Sequence, residues 1–272
     1  NLAATQKFLD SIKPALVVDA AAKVGGIGAN NSFPVEFLAD NIRIQNNLMQ
    51  AAHEANVERF LFLGSSCIYP RDCAQPIKEE YLLTGPLEAT NSAYAIAKIA
   101  GIELVNSYRK EHGRKWISLM PTNLYGPGDN FDLQASHVLP AFIRRFVEAT
   151  ETDAPSVTLW GSGSPFREFL HDDDLAKAVV MTSQKYDSSM HLNIGTGEDL
   201  TIRDLALMVA NLSGFKGEII WDISKPDGTP RKTLDVSRIK ALGWKPTITL
   251  SDGIESTIAW YKSASASGEA RK

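Results

Sequence analysis

The sequence predicts an α/β fold, in which a doubly wound parallel sheet is followed by a smaller α+β domain. Short apolar runs rich in β-branched residues alternate with long amphipathic helical patterns in the first half of the chain. Such an alternation implies βαβ units with right-handed crossovers. After Tyr125 a Gly-Pro-Gly turn ends this rhythm, and the elements that follow are shorter and less regular.

The strands and helices follow from local patterns. The predicted strands are residues 15–20, 59–64, 116–120, 157–160, 191–194 and 218–221. The predicted helices are residues 2–11, 34–56, 92–112, 136–149 and 250–263. Pro34 stands near the start of its helix, where a missing N–H is harmless, and Asn91 or Ser92 is suited to cap the next helix.

These elements predict two domains. We expect the first to span residues 1–129, with segment 168–198 returning to it, and the second to span residues 130–272. The second domain is expected to cover the carboxyl edge of the sheet, where open α/β sheets bind ligands. The small polar residues 265–272 predict a disordered tail, and 225–232 reads as a loop by composition.

Composition limits the possible functions. The 272 residues are 44% hydrophobic and 22% charged, which is ordinary for a soluble globular protein. A net charge of -4 argues against general nucleic-acid binding, although a local basic pocket could still hold a small anion. Cys67 and Cys73 cannot form a disulfide framework, and no apolar run approaches the roughly 18–20 residues of a membrane span. We therefore expect a cytoplasmic protein with no nucleic-acid or membrane partner.

Tyr94 and Lys98 form the first candidate catalytic pair. Residues four apart share a helix face, so the phenol and the ammonium should point into one cleft. A nearby ammonium stabilises a phenolate and would lower the pKa of the tyrosine towards the working range of an acid/base catalyst. An exposed tyrosine and lysine at a common spacing is the plainer interpretation, and with seven tyrosines a chance match would be unsurprising.

The preceding strand strengthens the catalytic interpretation. It ends in Gly64, Ser65, Ser66 and Cys67, and a parallel sheet delivers such strand-end residues to the ligand crevice. A serine there can donate a hydrogen bond to a substrate oxygen beside the Tyr–Lys pair. A simple strand-end turn is the alternative. A strand-end serine followed by a helical Tyr-x-x-x-Lys resembles the catalytic triad of the short-chain dehydrogenases/reductases.

Longer motifs narrow the resemblance to the GDP-L-fucose synthases of the extended short-chain dehydrogenase/reductase superfamily. They are AAAKVGGI at 20–27, GSSCIYP at 64–70, PTNLYGP at 121–127, WGSG at 160–163, REFLH at 167–171 and KPDGTPR at 225–231. Together these motifs cover the chain from about residue 15 to residue 260. The resemblance implies a Rossmann-type NADP-binding domain, a smaller substrate-binding domain and a homodimer that pairs helices 34–56 and 92–112 in a four-helix bundle.

The family's reaction implies roles for particular residues. Its substrate, GDP-4-keto-6-deoxy-D-mannose, is epimerised at C3 and C5, and the C4 ketone is then reduced by NADPH. Ser65, Tyr94 and Lys98 match the reductive triad, Cys67 the epimerisation base and His137 its acid. The residues that match the cofactor site are Leu63, Gly64, Ser65, Ser66, Lys98, Pro121, Asn123, Leu124 and His137. Arg145, Trp160, Arg167 and Arg231 match the substrate site, and no metal is expected.

Plainer interpretations and rival functions remain open at this point. Cys67 could be a buried small hydrophobe and His137 a capping or surface histidine. Another nucleotide-sugar epimerase or dehydratase of the same fold is one rival, although a 4-epimerase needs neither residue. A binding protein with an inactive cofactor site is the other.

The family's Gly-x-x-Gly-x-x-Gly turn, which holds the cofactor pyrophosphate, is absent from these residues. The chain opens at Asn1 inside a helical pattern, so we expect the natural protein to carry preceding residues that contain the turn. The preference for NADP over NAD thus rests on the resemblance.

Overall fold

The computed structural model describes residues 1–225 and 227–272. In chain order the helices are α1 (Leu2–Ile12), α2 (Ile27–Ser32), α3 (Pro34–Glu54), α4 (Ser92–His112), α5 (Val138–Glu151), α6 (Asp172–Lys185), α7 (Ile202–Ser213), α8 (Ser237–Ala241) and α9 (Leu250–Ser267). The strands are β1 (Leu16–Asp19), β2 (Arg59–Leu63), β3 (Ile117–Pro121), β4 (Asn123–Tyr125), β5 (Ser156–Trp160), β6 (Phe166–Arg167), β7 (Phe169–His171), β8 (Leu192–Ile194), β9 (Leu200–Thr201), β10 (Glu218–Asp222) and β11 (Arg231–Lys232).

A parallel sheet in the order β1-β2-β3-β8 carries the first half of the chain, which confirms the predicted fold class. The registers place Val18 opposite Leu61 and Leu119 opposite Leu192. β2 and β3 are mostly apolar and buried, apart from Arg59 and Ser118, because helices cover the sheet, as is usual for parallel sheets. The strands end together, so the residues that follow them meet at one edge.

The core of this sheet also contains residues from far along the chain. Leu192 and Ile194 belong to it, and so do Leu234, Ile239 and Trp244. The segment 234–244 was predicted to belong to the second domain, and the structure corrects this. Short apolar runs of this kind carry no signal of which core they join, because both cores accept the same residue types.

A second core lies among α5, α7 and α9. Its centre includes Phe131, Phe146 and Tyr261, and the ring centroids of Phe131 and Tyr261 are 4.6 Å apart. The strand pair β10-β5, the small sheet β11-β6-β9 and the pair β4-β7 accompany these helices. This half is therefore α+β, and β6 and β11 connect it to the carboxyl edge of the first sheet.

The predicted disorder of residues 265–272 is wrong. Helix α9 continues to Ser267 because Ala264 is still buried against the second core, and Gly268 then ends the helix at a left-handed φ of 78°. Beyond it, the Phe131 N–H donates to the carbonyl of Arg271 over 2.9 Å. The small polar residues of 265–272 predict disorder, but the tertiary contact with the 128–131 loop gives this segment a defined structure. The predicted loop 225–232 includes Pro226, which lies outside the described residues.

Helices α3 and α4 pack against each other beside the sheet. They leave Val35, Ile42 and Ile96 exposed on their outer faces. Within residues 1–225 and 227–272, no helix is both long enough and apolar enough to cross a bilayer.

Candidate active site

A cavity of about 630 Å³ opens at the carboxyl ends of β1, β2 and β3, between the two halves of the molecule. All the predicted catalytic and cofactor-binding residues line it, together with one predicted substrate-binding residue. These are Leu63, Gly64, Ser65, Ser66, Cys67, Tyr94, Lys98, Pro121, Asn123, Leu124, His137 and Arg167. Residues spread over more than a hundred positions in the sequence thus meet in one cleft.

Tyr94 and Ser65 face each other across this cleft. Ser65 lies at the end of β2 and its hydroxyl accepts a hydrogen bond from the Cys67 N–H over 3.2 Å. Burial raises the pKa of Tyr94, the charge of Cys67 acts in the same direction, and the Ser65 hydroxyl acts against them. The sequence predicted a lowered tyrosine pKa, and the structure reverses that direction because desolvation outweighs the other influences. The phenol therefore keeps its proton, which suits a proton donor.

Lys98 lies one helical turn beyond Tyr94 and is only 3% exposed. Its Nζ donates to the Leu63 carbonyl over 2.9 Å and lies 5.9 Å from the centroid of the Tyr94 ring. Burial lowers the pKa of Lys98 to about 8, and the carboxylate of Asp19 opposes that shift. An ammonium has three donors and Leu63 takes one, so donors remain for hydroxyls of a bound nucleotide ribose.

Cys67 lies in the turn after Ser65, and two donors surround its sulfur. Asn91 Nδ2 lies 3.4 Å from the Sγ atom, and Lys232 Nζ lies 3.6 Å from it. The guanidinium of Arg167 is also close enough to interact electrostatically with the thiol. The sulfur of Cys67 therefore faces an ammonium, a guanidinium and an amide, which are polar groups that an apolar core does not offer. The plain interpretation of Cys67 as an apolar core residue therefore does not fit.

His137 precedes α5 at its N-cap position but makes no side-chain capping hydrogen bond. His137 lines the open cavity, and burial of the side chain and then the charge of Lys232 lower its pKa. The segment 20–27, which contains Gly25 and Gly26, packs behind His137. The Gly26 N–H donates to the Ala135 carbonyl over 3.0 Å. A Cβ atom on Gly26 would lie 2.7 Å from the Ser136 carbonyl oxygen, so the close approach requires glycine there.

The loop after β3 is fixed by a buried carboxyl residue. Thr122 Oγ1 and Asn123 Nδ2 donate to the backbone carbonyl of Glu168 over 3.2 and 2.8 Å. The Glu168 side chain is fully buried and accepts the N–H groups of Gly197 and Leu234, both over 2.8 Å. Burial raises the pKa of Glu168, and these N–H donors oppose that shift. Glu168 thus ties Thr122 and Asn123, which line the cavity, to the backbone of Gly197 and Leu234.

The predicted substrate residues divide into two groups. Arg167 lines the cavity, and its strand partner in β11 is Lys232, which lines it too. Arg231 lies outside the cavity wall, where it donates to Asp199 over 2.6 and 3.1 Å. Trp160 and Arg145 also lie outside the lining of the cavity. Trp160 is 60% exposed, and Arg145 has no ion-pair or hydrogen-bond partner within residues 1–225 and 227–272.

Sequence reasoning did not assign Asn91 or Lys232 to the site. Asn91 was considered only as a helix cap, and it makes no side-chain capping hydrogen bond. Lys232 directly follows the 225–231 motif, and that adjacency was the available signal. Among the described residues, His171, Asp172 and Asp173 also lie close together. This group caps α6, because the His171 ring accepts the Asp173 N–H.

Comparisons with known proteins agree with this geometry. Residues 1–195 match the model of the NAD dependent epimerase/dehydratase family. The chain is 54% identical over 256 residues to a putative GDP-L-fucose synthase 2 of Arabidopsis thaliana, covering 94% of this chain and 78% of the relative. It is 51% identical over 267 residues to the GDP-L-fucose synthase of Escherichia coli K12, covering 95% and 83%. A GDP-L-fucose synthetase from Naegleria fowleri bound to NADP superposes with a TM-score of 0.90 at 29% identity, covering 100% of this chain and 84% of that one.

Proposed function

The chain belongs to the GDP-L-fucose synthases of the NAD dependent epimerase/dehydratase family, and we propose that it converts GDP-4-keto-6-deoxy-D-mannose to GDP-L-fucose with NADPH. Because a fold alone does not define a reaction, the proposal rests on the site. The observation that carries it is the thiol of Cys67, which lies beside two donors in the same cavity as His137 and Tyr94. That cavity holds the groups for both an epimerisation and a reduction.

Epimerisation requires a base and an acid on opposite faces of the sugar. The thiolate of Cys67 removes the proton from C3 or C5, and the electron pair of the broken C–H bond passes to the C4 oxygen as an enolate. Hydroxyls of Ser65 and Tyr94 then donate hydrogen bonds to that oxygen. His137 returns a proton to the carbon from the other face, which inverts the centre. The donors Asn91 and Lys232 stabilise the thiolate before each proton transfer.

Reduction takes place in the same cavity and uses Tyr94 again. Bound NADPH supplies the hydride for C4. Tyr94 donates its phenolic proton to the C4 oxygen, and the ammonium of Lys98 stabilises the phenolate that remains. The cofactor would be held by Lys98, by the backbone from Leu63 to Ser66, by Pro121 at the end of β3, by Asn123 and Leu124 in β4, and by His137.

The diphosphate of the nucleotide sugar needs cations that can bind phosphate oxygens. Arg145 follows His137 by eight residues in α5, which is about 12 Å along the helix axis. Its guanidinium has no partner in the described chain and could bind phosphate oxygens with two parallel hydrogen bonds. We assign Arg145, Arg167 and Arg231 to the diphosphate and ribose, and the exposed ring of Trp160 to the base.

The assembly proposed with this function is a cytoplasmic homodimer. The exposed apolar residues Val35, Ile42 and Ile96 on α3 and α4 would pair with those of a second copy in a four-helix bundle. The sheet and its crossovers form the NADP-binding domain, and α5, α7 and α9 belong to the substrate domain.

Solvent deuterium uptake tests the function. With the keto sugar in heavy water, wild-type protein should incorporate deuterium at C3 and C5, as followed by proton NMR of the sugar. Cys67→Ser should abolish this uptake, whereas reduction of the unepimerised ketone continues and yields a different 6-deoxyhexose. The matched control is Cys73→Ser, because Cys73 lies outside the cavity wall. Normal uptake in Cys67→Ser would contradict the assignment of the base.

A further inference from the structure

Asp19 is a buried carboxylate that the reaction described above does not use. It is 1% exposed at the carboxyl end of β1. The Ala21 N–H donates to its Oδ1 atom over 3.2 Å, while Oδ2 has no hydrogen-bond partner among the described residues. Burying a carboxylate with an unsatisfied oxygen is costly, so a nearby positive charge is expected.

The register of the sheet identifies that charge. Asp19 pairs with Phe62 in the neighbouring strand, and residues paired in register project from the same face. Lys98 Nζ lies 4.8 Å from the centroid of the Phe62 ring, on that face. The carboxylate and the ammonium therefore lie on the same face of the sheet as the Phe62 ring, and both residues are buried.

We propose that Asp19 is a positioning residue that keeps the buried ammonium of Lys98 charged beside Tyr94. The other groups packed around the pair are weak competitors. Helix α3 contributes the neutral amides of Asn41 and Gln45, and α4 contributes Tyr94. Lys23 follows on the same loop but is bound to the exposed carboxylates of Glu36 and Asp40.

The two titrations support this pairing. Burial lowers the pKa of Lys98 to about 8, and Asp19 is the charge that opposes the shift. Burial also raises the pKa of Asp19, and Lys98 is the charge that lowers it again. Each group thus favours the charged form of the other. The catalytic consequence rests on the proposed function, in which a charged Lys98 stabilises the Tyr94 phenolate.

The test measures the titration of Lys98 directly, in the intact protein without substrate. The ¹³Cε resonance of Lys98 is assigned by its loss in Lys98→Met and followed against pH. In Asp19→Asn, which removes the charge and keeps the shape, the Lys98 pKa should fall by about one unit. Asp10→Asn, the same charge change on the exposed face of α1, should leave it unmoved. An unmoved Lys98 titration in Asp19→Asn overturns the proposal.

Two further measurements complete the test. If Asp19→Asn does not fold, the carboxyl ¹³C resonance of Asp19 is compared between wild type and Lys98→Met. The Asp19 pKa should rise when the ammonium is lost, and an unchanged value overturns the proposal. The pH profile of reduction should lose its rate at lower pH in Asp19→Asn than in wild type. A shifted Lys98 titration with an unshifted rate profile would support the pairing and count against the proposed role of Lys98 in the reaction.

Discussion

Replacing Lys232 with methionine removes the charged donor beside the Cys67 sulfur and keeps most of the side chain's length. The donor is held rigidly, because β11 pairs with β6 and the next residues are fixed by Asp199 and Glu168. Its Nζ lies 3.6 Å from the Sγ atom. A hydrogen bond to a charged group contributes about 1.5–3 kcal/mol. Lys232→Met should therefore slow proton abstraction by about 10- to 150-fold.

Deuterium uptake without reduced cofactor isolates this step, because no ketone is then consumed. The loss should appear in the rate at saturating keto sugar, which separates an effect on the thiolate from weaker substrate binding. Lys232→Arg keeps a charged donor and should recover part of the rate. Lys216→Met is the matched control, since Lys216 is exposed and lies far from the cavity wall. A saturated uptake rate equal to wild type in Lys232→Met would refute the reasoning.

Three other perturbations test the site and its supports. Tyr94→Phe removes the proton donor, so NADPH oxidation followed by absorbance should fall by about 10²–10⁴-fold, and a loss below about tenfold would identify another donor. Glu168→Ala leaves the N–H groups of Gly197 and Leu234 unpaired, so urea unfolding should show a loss of about 2–5 kcal/mol; Glu255→Ala, on the exposed face of α9, should show almost none. Burial favours the neutral form of Asp174, but the Ile248 N–H, the Thr247 hydroxyl, Lys177 and the Thr247 N–H outweigh it and lower the pKa to about 2. Because the folded pKa is depressed, this stabilisation of roughly 2 kcal/mol is present above pH 4 and lost as pH falls towards 2, so wild type and Asp174→Asn should converge in stability over that interval.

Local patterns were sufficient for the parts of the site that depend on local spacing. Tyr94 and Lys98 share a face because four residues make about one helical turn, and α4 begins and ends where the sequence predicts. Ser65 and Cys67 reach the cavity because they follow a buried parallel strand. These assignments need the sequence of one element and the general geometry of parallel sheets, and nothing more distant.

The contacts that tune those groups come from distant parts of the chain. Lys232 reaches Cys67 across 165 positions, through a strand pairing of only two residues that no periodicity reveals. In the sequence, Asp19 is an ordinary strand-end residue. Only the register of the sheet shows that it pairs with Phe62, whose ring lies next to Lys98. The direction of the Tyr94 pKa was also missed, because the degree of burial in a cleft depends on both halves of the molecule.

The two proposed chemistries place different demands on one cavity, and the opposite pKa shifts of Tyr94 and His137 suit these residues to different steps. Tyr94 is enclosed and holds its proton, so it can serve as donor to the C4 oxygen in both the enolate and the reduction step. Each epimerisation moves one proton onto Cys67 and takes one from His137, and two such events must precede reduction. Both groups must therefore exchange protons between events. Burial lowers the pKa of His137, so its imidazolium gives up a proton readily but forms less readily at neutral pH, and the open cavity that His137 lines admits the water from which it is protonated again. The base and the acid thus exchange protons with water in the open cavity, while the raised pKa of Tyr94 retains the proton for reduction.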